Sequence, residues 1–445
     1  MTNDMTRGRI LPQLISFTIP LVLGNLFQLT YNAADSVIVG KYVGEQALAA
    51  VGTSTPIMNI AILLISGMCM GASVLMSSQY GAKDYDTLSR QISTTMLAGC
   101  GFSVVFSLLM LLLANPVLRL IRVPETAIPE AAAYLRIIFM GLIFTFMYNF
   151  LANTMRALGD SKTPLYFLVT SAFLNIFGDL FFVVVLRWGV AGSAIATVCS
   201  EGLCCLLCGI YIKKKIPLLC LGKKWWVFDK SLLGKTVSYG STSAMQQVCL
   251  QLGKLIIQSV VNTQGVAVMA AFTAVNRVDD FAYTPQQNIG HAMTTFLAQN
   301  KGAGHKERMK KGFQTGLLIE LVYSIGLFCV IWGLAPQIMT LFAEDGDAQV
   351  VSLGISYLHL ISWMYILPGL TNGVQGFFRG IGDLKVTLYS TFMNMFGRVV
   401  AVFVMIRLLQ MEFASLAWAN MVGWIVMLLF EVPLLVKSMR NGECG

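Results

Sequence analysis

Long uncharged runs alternate with short charged breaks along the whole chain. Twelve apolar segments stand out, at roughly 11–39, 47–77, 91–114, 131–153, 163–186, 190–212, 235–261, 266–298, 313–334, 350–377, 386–408 and 413–437. Each offers the roughly 20 residues that a helix needs to cross the hydrocarbon layer. They predict an all-α membrane protein of 12 transmembrane helices and leave no room for a soluble domain or low-complexity stretch. The first run is too long for a signal peptide and continues straight into a span, so no cleavable leader is expected.

Composition agrees: of 445 residues, 56% are hydrophobic and only 12% charged, with a mean hydropathy of +0.70, outside the range of soluble domains. The net charge of +9 would suggest nucleic-acid binding if it were clustered, but it follows the bilayer. With the N-terminus inside, 22 of the 31 basic residues fall on the cytoplasmic side, most of them in the 213–235 and 301–311 loops. The outer side receives Lys41, Arg119, Arg122, Arg136, Arg187 and Arg407, together with the acidic Glu344-Asp345-Gly346-Asp347. This asymmetry predicts a multi-pass protein of the plasma (cell inner) membrane with both termini cytoplasmic and no nucleic-acid partner. Ten cysteines change little. Even the Cys204–Cys208 group sits mid-helix without a histidine nearby, so packing is the better reading.

The chain repeats itself. Arg156-Ala-Leu-Gly159-Asp160-x-Lys162 returns as Arg379-Gly-Ile-Gly382-Asp383-x-Lys385, 223 residues later. Phe173-Leu-Asn175-Ile-Phe177-Gly178 returns as Phe392-Met-Asn394-Met-Phe396-Gly397, and Gly81-Ala82 as Gly302-Ala303. Such a period holds six spans, so the halves keep one orientation and should be related by a pseudo-two-fold axis along the membrane normal. The expected organisation is an N-terminal lobe at 1–212 (spans one to six), a basic cytoplasmic linker at 213–234 and a C-terminal lobe at 235–445.

The costly residues lie in Arg156–Thr197. Asn175 and Asp179 are four apart, so on a helix they share a face about 6 Å apart. A carboxylate in a span costs about 2.5–3.5 kcal/mol and must face a cavity or a partner. Asp35 ends a polar ladder of Asn25, Gln28, Tyr31 and Asn32 on a helix interrupted by Pro20. Two carboxylates brought together take up a proton or hold a cation between them. A hard cation needs oxygens, which Asp35, Asp179, the Asn175 side-chain carbonyl and the Thr197 hydroxyl would supply. The blander alternatives are solvation of Asp35 at the membrane edge, a basic partner for Asp179, and helix–helix hydrogen bonding by Asn175 and Thr197.

Taken in order, several pieces make the chain resemble the multidrug and toxic compound extrusion (MATE) family. They are Pro20; Asp35-x4-Gly40 with Ala47-x-Ala49-Ala50-Val51-Gly52; the Arg156–Lys162 loop; Asn175-x3-Asp179; and Gly189-x2-Gly192-x-Ala194-x-Ala196-Thr197. The resemblance implies a cation-coupled antiporter. Asp35, Asn175, Asp179 and Thr197 would form the ion site of the N-terminal lobe, and Pro20 would bend the first helix when the acid is protonated. The second half departs from the pattern: Arg398 stands where the first half has Asp179, and Gln246, Gln247, Asn372 and Gln375 occupy stretches that are acidic in some branches. That favours the branch similar to the DNA-damage-inducible proteins.

The expected activity is export of lipophilic, cationic drugs or toxic compounds in exchange for H+ or Na+ by alternating access, by a monomer with no cofactor and no metal beyond the coupling ion. Candidate cleft residues are Gln28, Tyr31, Met68, Met147, Asn149 and Asn153, with Met70, Phe146 and Tyr148 beside them. The alternative is a flippase for a lipid-linked oligosaccharide, which would need several arginines in its cleft. No enzyme is expected, since the chain carries no metalloprotease motif, nucleophile elbow or phosphate loop. Lys254, Arg277 and Arg398 are basic residues within spans; for Arg277 the simplest role is a local ion pair with Asp279 and Asp280. Glu201, Glu320 and Glu431 are expected to be paired or snorkelling.

Overall fold

The computed structural model describes residues 4–43, 45–120, 123, 125, 127–216, 226–342, 348–409, 413 and 415–440; within these, the side chains of 32–37, 39, 40, 45–50, 342, 407, 408 and 415 lie outside the description. Every regular element among the described residues is helical. In chain order these are α1 (Ile10–Tyr42), α2 (Glu45–Gly81), α3 (Tyr85–Leu120), α4 (Ile128–Met140), α5 (Leu142–Ala157), α6 (Lys162–Asp179) and α7 (Gly189–Lys215). Then come α8 (Lys230–Val261), α9 (Val266–Gly302), α10 (Lys306–Phe342), α11 (Ala348–Ser362), α12 (Ile366–Ile381), α13 (Leu384–Phe403) and α14 (Ser415–Arg440). π-helical turns at Leu180–Val185 and Val404–Leu408 follow α6 and α13, so the repeat extends to an irregularity.

Nine of the described helical stretches are long and apolar enough to cross a membrane, ten if α4 and α5, bent by 46° at Gly141, count as one span. Only 17% of the most apolar window of α3 is buried within the protein, so its leucines face outward, as hydrocarbon requires. Helices α8 and α9 are 32 and 37 residues long and fall outside that count because glutamines and charges interrupt them.

The chain forms two compact units, Met1–Asp4 with Ile19–Ala244, and Met5–Thr18 with Met245–Gly445. Their boundary falls inside α8 rather than in the 213–234 connector, and close backbone packing explains why. A Cβ on Gly67 would lie 2.6 Å from the Ala244 Cα, and one on Gly71 would lie 2.5 Å from the Tyr239 carbonyl. Paired Gly-x3-Gly and Gly-x3-Ala faces let α2 and the start of α8 touch backbone to backbone. From α3, Gln91 donates to Thr236 Oγ1 at 2.5 Å and Arg90 pairs with Asp229 at 2.5 Å, so α3 also holds the start of α8. Around this seam the first unit buries Leu135, Phe139, Phe146, Phe150 and Met155.

The second unit has its own core, with Tyr357, Tyr365 and Phe272 among its buried rings. Its tightest seam is again glycine-built: a Cβ on Gly376 would lie 2.7 Å from the Gly290 carbonyl oxygen, which brings α9 against α12. The Met5–Thr18 segment belongs to this unit because Arg308 donates to the carbonyls of Met5, Arg7 and Gly8 and to Gln13 Oε1, while Asn300 donates to the Met5 carbonyl.

The repeated Arg-x-x-Gly-Asp motif proves to be a helix stop. Gly159 and Gly382 take φ of +84° and +86°. The following N–H groups return to the helix, Asp160 to the Met155 carbonyl at 3.0 Å and Asp383 to that of Phe378 at 2.9 Å. Only glycine adopts this left-handed conformation without strain. Asp160 then starts α6, accepting from the N–H groups of Lys162 and Thr163 at 3.1 and 3.0 Å and from the Thr163 hydroxyl at 2.6 Å. Asp160→Ala is expected to lose about 1 kcal/mol of stability, as removal of such a cap does. A melting temperature in detergent equal to that of the parent would contradict this.

Candidate functional site

Helix α6 ends on the residue that the membrane tolerates least. Asp179 is 0% exposed and Asn175, one turn earlier, is 3% exposed. The chain then passes into the π-turn Leu180–Val185, a geometry that recurs at functional sites. Across from them, α7 brings Thr197: Asn175 Nδ2 donates to its Oγ1 at 3.2 Å, and that hydroxyl donates to the Ser193 carbonyl at 3.1 Å. Small residues allow this approach. A Cβ on Gly178 would lie 3.0 Å from the Ala196 Cβ, and one on Gly192 would lie 3.1 Å from the Phe182 carbonyl. Gly192 and Ala196, four apart on one face of α7, thus form the packing surface beside the threonine, while Ala194 packs with Tyr134 and Ile138. Among the described residues the buried Asn175 carbonyl oxygen accepts no hydrogen bond, so a ligand oxygen stands ready one turn from the carboxylate.

Asp35 lies in α1, but its side chain, like that of Asn32, falls outside the described residues. Pro20 sits inside the same helix, where its ring removes one backbone donor and weakens the turn above it. Gln28 is exposed and Tyr31 half-buried. Met68 lies on α2 against Gly240. Asn149 and Asn153 donate back to the Thr145 and Asn149 carbonyls, and Met147 Sδ contacts Cys100 Sγ at 3.5 Å. The structure joins Asn175 to Thr197, with Asp179 one turn beyond Asn175 on α6.

Glu201 is one helical turn beyond Thr197 on α7. Its carboxylate accepts from the Thr145 hydroxyl of α5 at 2.5 Å. Glu201, Thr145 and Thr197 line one small cavity of about 20 Å³. The signal was present in sequence as a threonine and a glutamate four apart, but it lacked the α5 partner.

In the second unit Lys254, Asp280, Asn394 and Arg398 line a polar cavity of about 290 Å³, together with Tyr283 and Trp424. Gln246 and Gln375 also line it and are joined by a 3.1 Å hydrogen bond. The expected ion pair of Arg277 with Asp279 and Asp280 does not form. Residues two apart on a helix do not face each other, and Arg277 points outward. Asp280 pairs instead with Lys254 at 3.4 Å. Asp279 is buried and accepts from the hydroxyls of Tyr365 at 2.5 Å and Tyr357 at 3.3 Å. The cysteine group is packing: Cys204 and Cys208 are buried, and Cys204 donates to the Phe167 carbonyl.

A family model described as MatE matches residues 20–181 and again 243–404, two windows offset by the same 223 residues that separate Arg156 from Arg379. The probable multidrug resistance protein YpnP of Bacillus subtilis (strain 168) is similar, at 32% identity over 388 residues covering 86% of each chain. The probable multidrug resistance protein YoeA of the same organism is 28% identical over 405 residues, covering 89% of this chain and 86% of that one. Among solved structures, a MATE in complex with MaL6 superposes with a TM-score of 0.92 at 22% identity, over 99% of this chain and 98% of the other, which fixes the fold.

Proposed function

The chain belongs to the MatE family, and from that membership we propose that it is a secondary antiporter that exports lipophilic, cationic drugs or toxic compounds in exchange for H+ or Na+. It spans the plasma membrane twelve times as two six-helix lobes, with both termini cytoplasmic, and works as a monomer by alternating access. The observation that carries this reading is the buried Asn175 and Asp179 of the first unit, with the half-buried Thr197 bonded to Asn175. A carboxylate, a free amide oxygen and a hydroxyl are the donor set for a proton or a small hard cation. In this reading Asp35 is the second carboxylate of the ion site, and Pro20, inside the same helix, gives it a place to bend as the charge is neutralised.

Binding is reciprocal: a coupling ion that weakens drug binding must itself be weakened by drug to the same degree. The second unit supports a coupling role for the first alone. Where the first unit has Asp179 the second has Arg398, and its glutamines bond one another. This supports a reading of the chain as a member of the branch similar to the DNA-damage-inducible proteins.

Proteoliposomes loaded with ethidium test the proposal when sodium and pH gradients are imposed separately. One of the two gradients is expected to drive ethidium against its own concentration gradient. Movement that ignores both would overturn antiport, and accumulation of lipid-linked cell-wall precursors in a deletion strain with ethidium export intact would favour the flippase.

A further inference from the structure

We propose that Glu201 is a second proton-binding site of the first unit, joined to the Asn175–Asp179 pocket through Thr197 and one water. The proposal rests on the antiport reading only for what the proton is used for; the binding itself stands on geometry.

Glu201 lies mid-span. At 1.5 Å per residue it sits about 18 Å from the Gly189 end of α7 and about 21 Å from the Lys215 end. A carboxyl at that depth is costly and is kept where it has work to do. Its surroundings are specific: the Thr145 hydroxyl donates to it at 2.5 Å, and a cavity of about 20 Å³ separates it from Thr197. That volume holds one water, which needs about 10–15 Å³ and two or more polar partners. Three are present, the two threonine hydroxyls and the carboxyl.

Beyond them the lining is apolar: Met58 and Ile62 of α2, Ile138 of α4 and Leu142 of α5. Among the described residues no charged or second titratable side chain from α2, α4 or α5 lines the cavity, so Glu201 answers to protons and to its link with Thr197. Thr197 accepts from Asn175 Nδ2 at 3.2 Å. A chain of polar groups therefore runs from Asn175, one helical turn before Asp179, through Thr197 and the water to Glu201. The link couples the two carboxyls through hydrogen-bond polarity and carries no proton between them, because Thr197 donates to the Ser193 carbonyl and the Asn175 amide only donates; Glu201 takes its proton from the water and returns it there. Each exchange cycle then involves two carboxyls of the described first unit, the buried Asp179 and the half-buried Glu201, and export acquires a pH dependence that Asp179 alone would not give.

Infrared difference spectra of the purified full-length protein in nanodiscs, titrated with acid and base, test this without reference to export. The parent is expected to show separate protonated-carboxyl bands for Asp179 and Glu201. Glu201→Gln, which keeps the size and an acceptor for Thr145, should lose one of them, and Asp179→Asn the other. Thr145→Val should move the Glu201 titration to a different pH and leave the remaining band in place, while Glu201→Asp should keep a titrating band. A Glu201→Gln spectrum identical to that of the parent overturns the proposal. In parallel, ethidium export by Glu201→Gln should flatten with pH while ethidium binding persists. If Asp179→Asn left export untouched, the antiport reading would fail whether or not Glu201 titrates.

Discussion

Asp179→Asn is expected to abolish coupled export while leaving the protein at least as stable as its parent. The two effects have opposite signs because they have different origins. Insertion of an aspartate into a span costs about 2.5–3.5 kcal/mol, and asparagine relieves part of that. The same substitution removes the negative charge that makes the pocket attractive to a cation or a proton. An interaction with a charged group is worth about 1.5–3 kcal/mol, so cation affinity should fall by about tenfold to a hundredfold. Shape is conserved: Asp179 is fully buried at the end of α6, and asparagine is its isostere. Ethidium efflux from cells, set against the melting temperature of the purified protein, separates the two effects. Normal efflux from the variant would remove Asp179 from the mechanism, and a large fall in melting temperature would recast it as structural.

Gly71→Leu carries the second large expectation, a collapse of export together with a markedly lower melting temperature. A Cβ at Gly71 already meets the Tyr239 carbonyl at 2.5 Å, and backbone cannot rotate away as a side chain can. Overpacking a good seam costs about 1–3 kcal/mol, and a shift of α8 would also strain its links to α3, Gln91–Thr236 and Arg90–Asp229. Gly101→Leu serves as the control, since nothing lies within 4 Å of a Cβ there. Equal behaviour of the two variants would mean that the α2–α8 seam contributes nothing.

The sites were unevenly legible in the sequence. Asn175 and Thr197 could be paired on paper because a motif fixes each on its own helix, and the structure joins them. The glycines at 159 and 382 could be read as repeated, though not as helix stops, because the left-handed turn shows only in φ. For Arg277, nearness in sequence does not become nearness in space. Asp279 turns its back on it and meets tyrosines from another helix.

By itself the sequence determined the all-helical membrane character and the internal repeat. A bilayer requires every backbone group to be bonded within its own segment, so span length and apolarity are written locally. Only the tertiary structure decided that α8 is divided between two units, that Thr145 reaches Glu201, and that Asp279 answers to Tyr357 and Tyr365. Those pairings depend on how each helix is rotated and where it crosses its neighbour. Small differences in side-chain volume along the seams set both, and no single segment contains them.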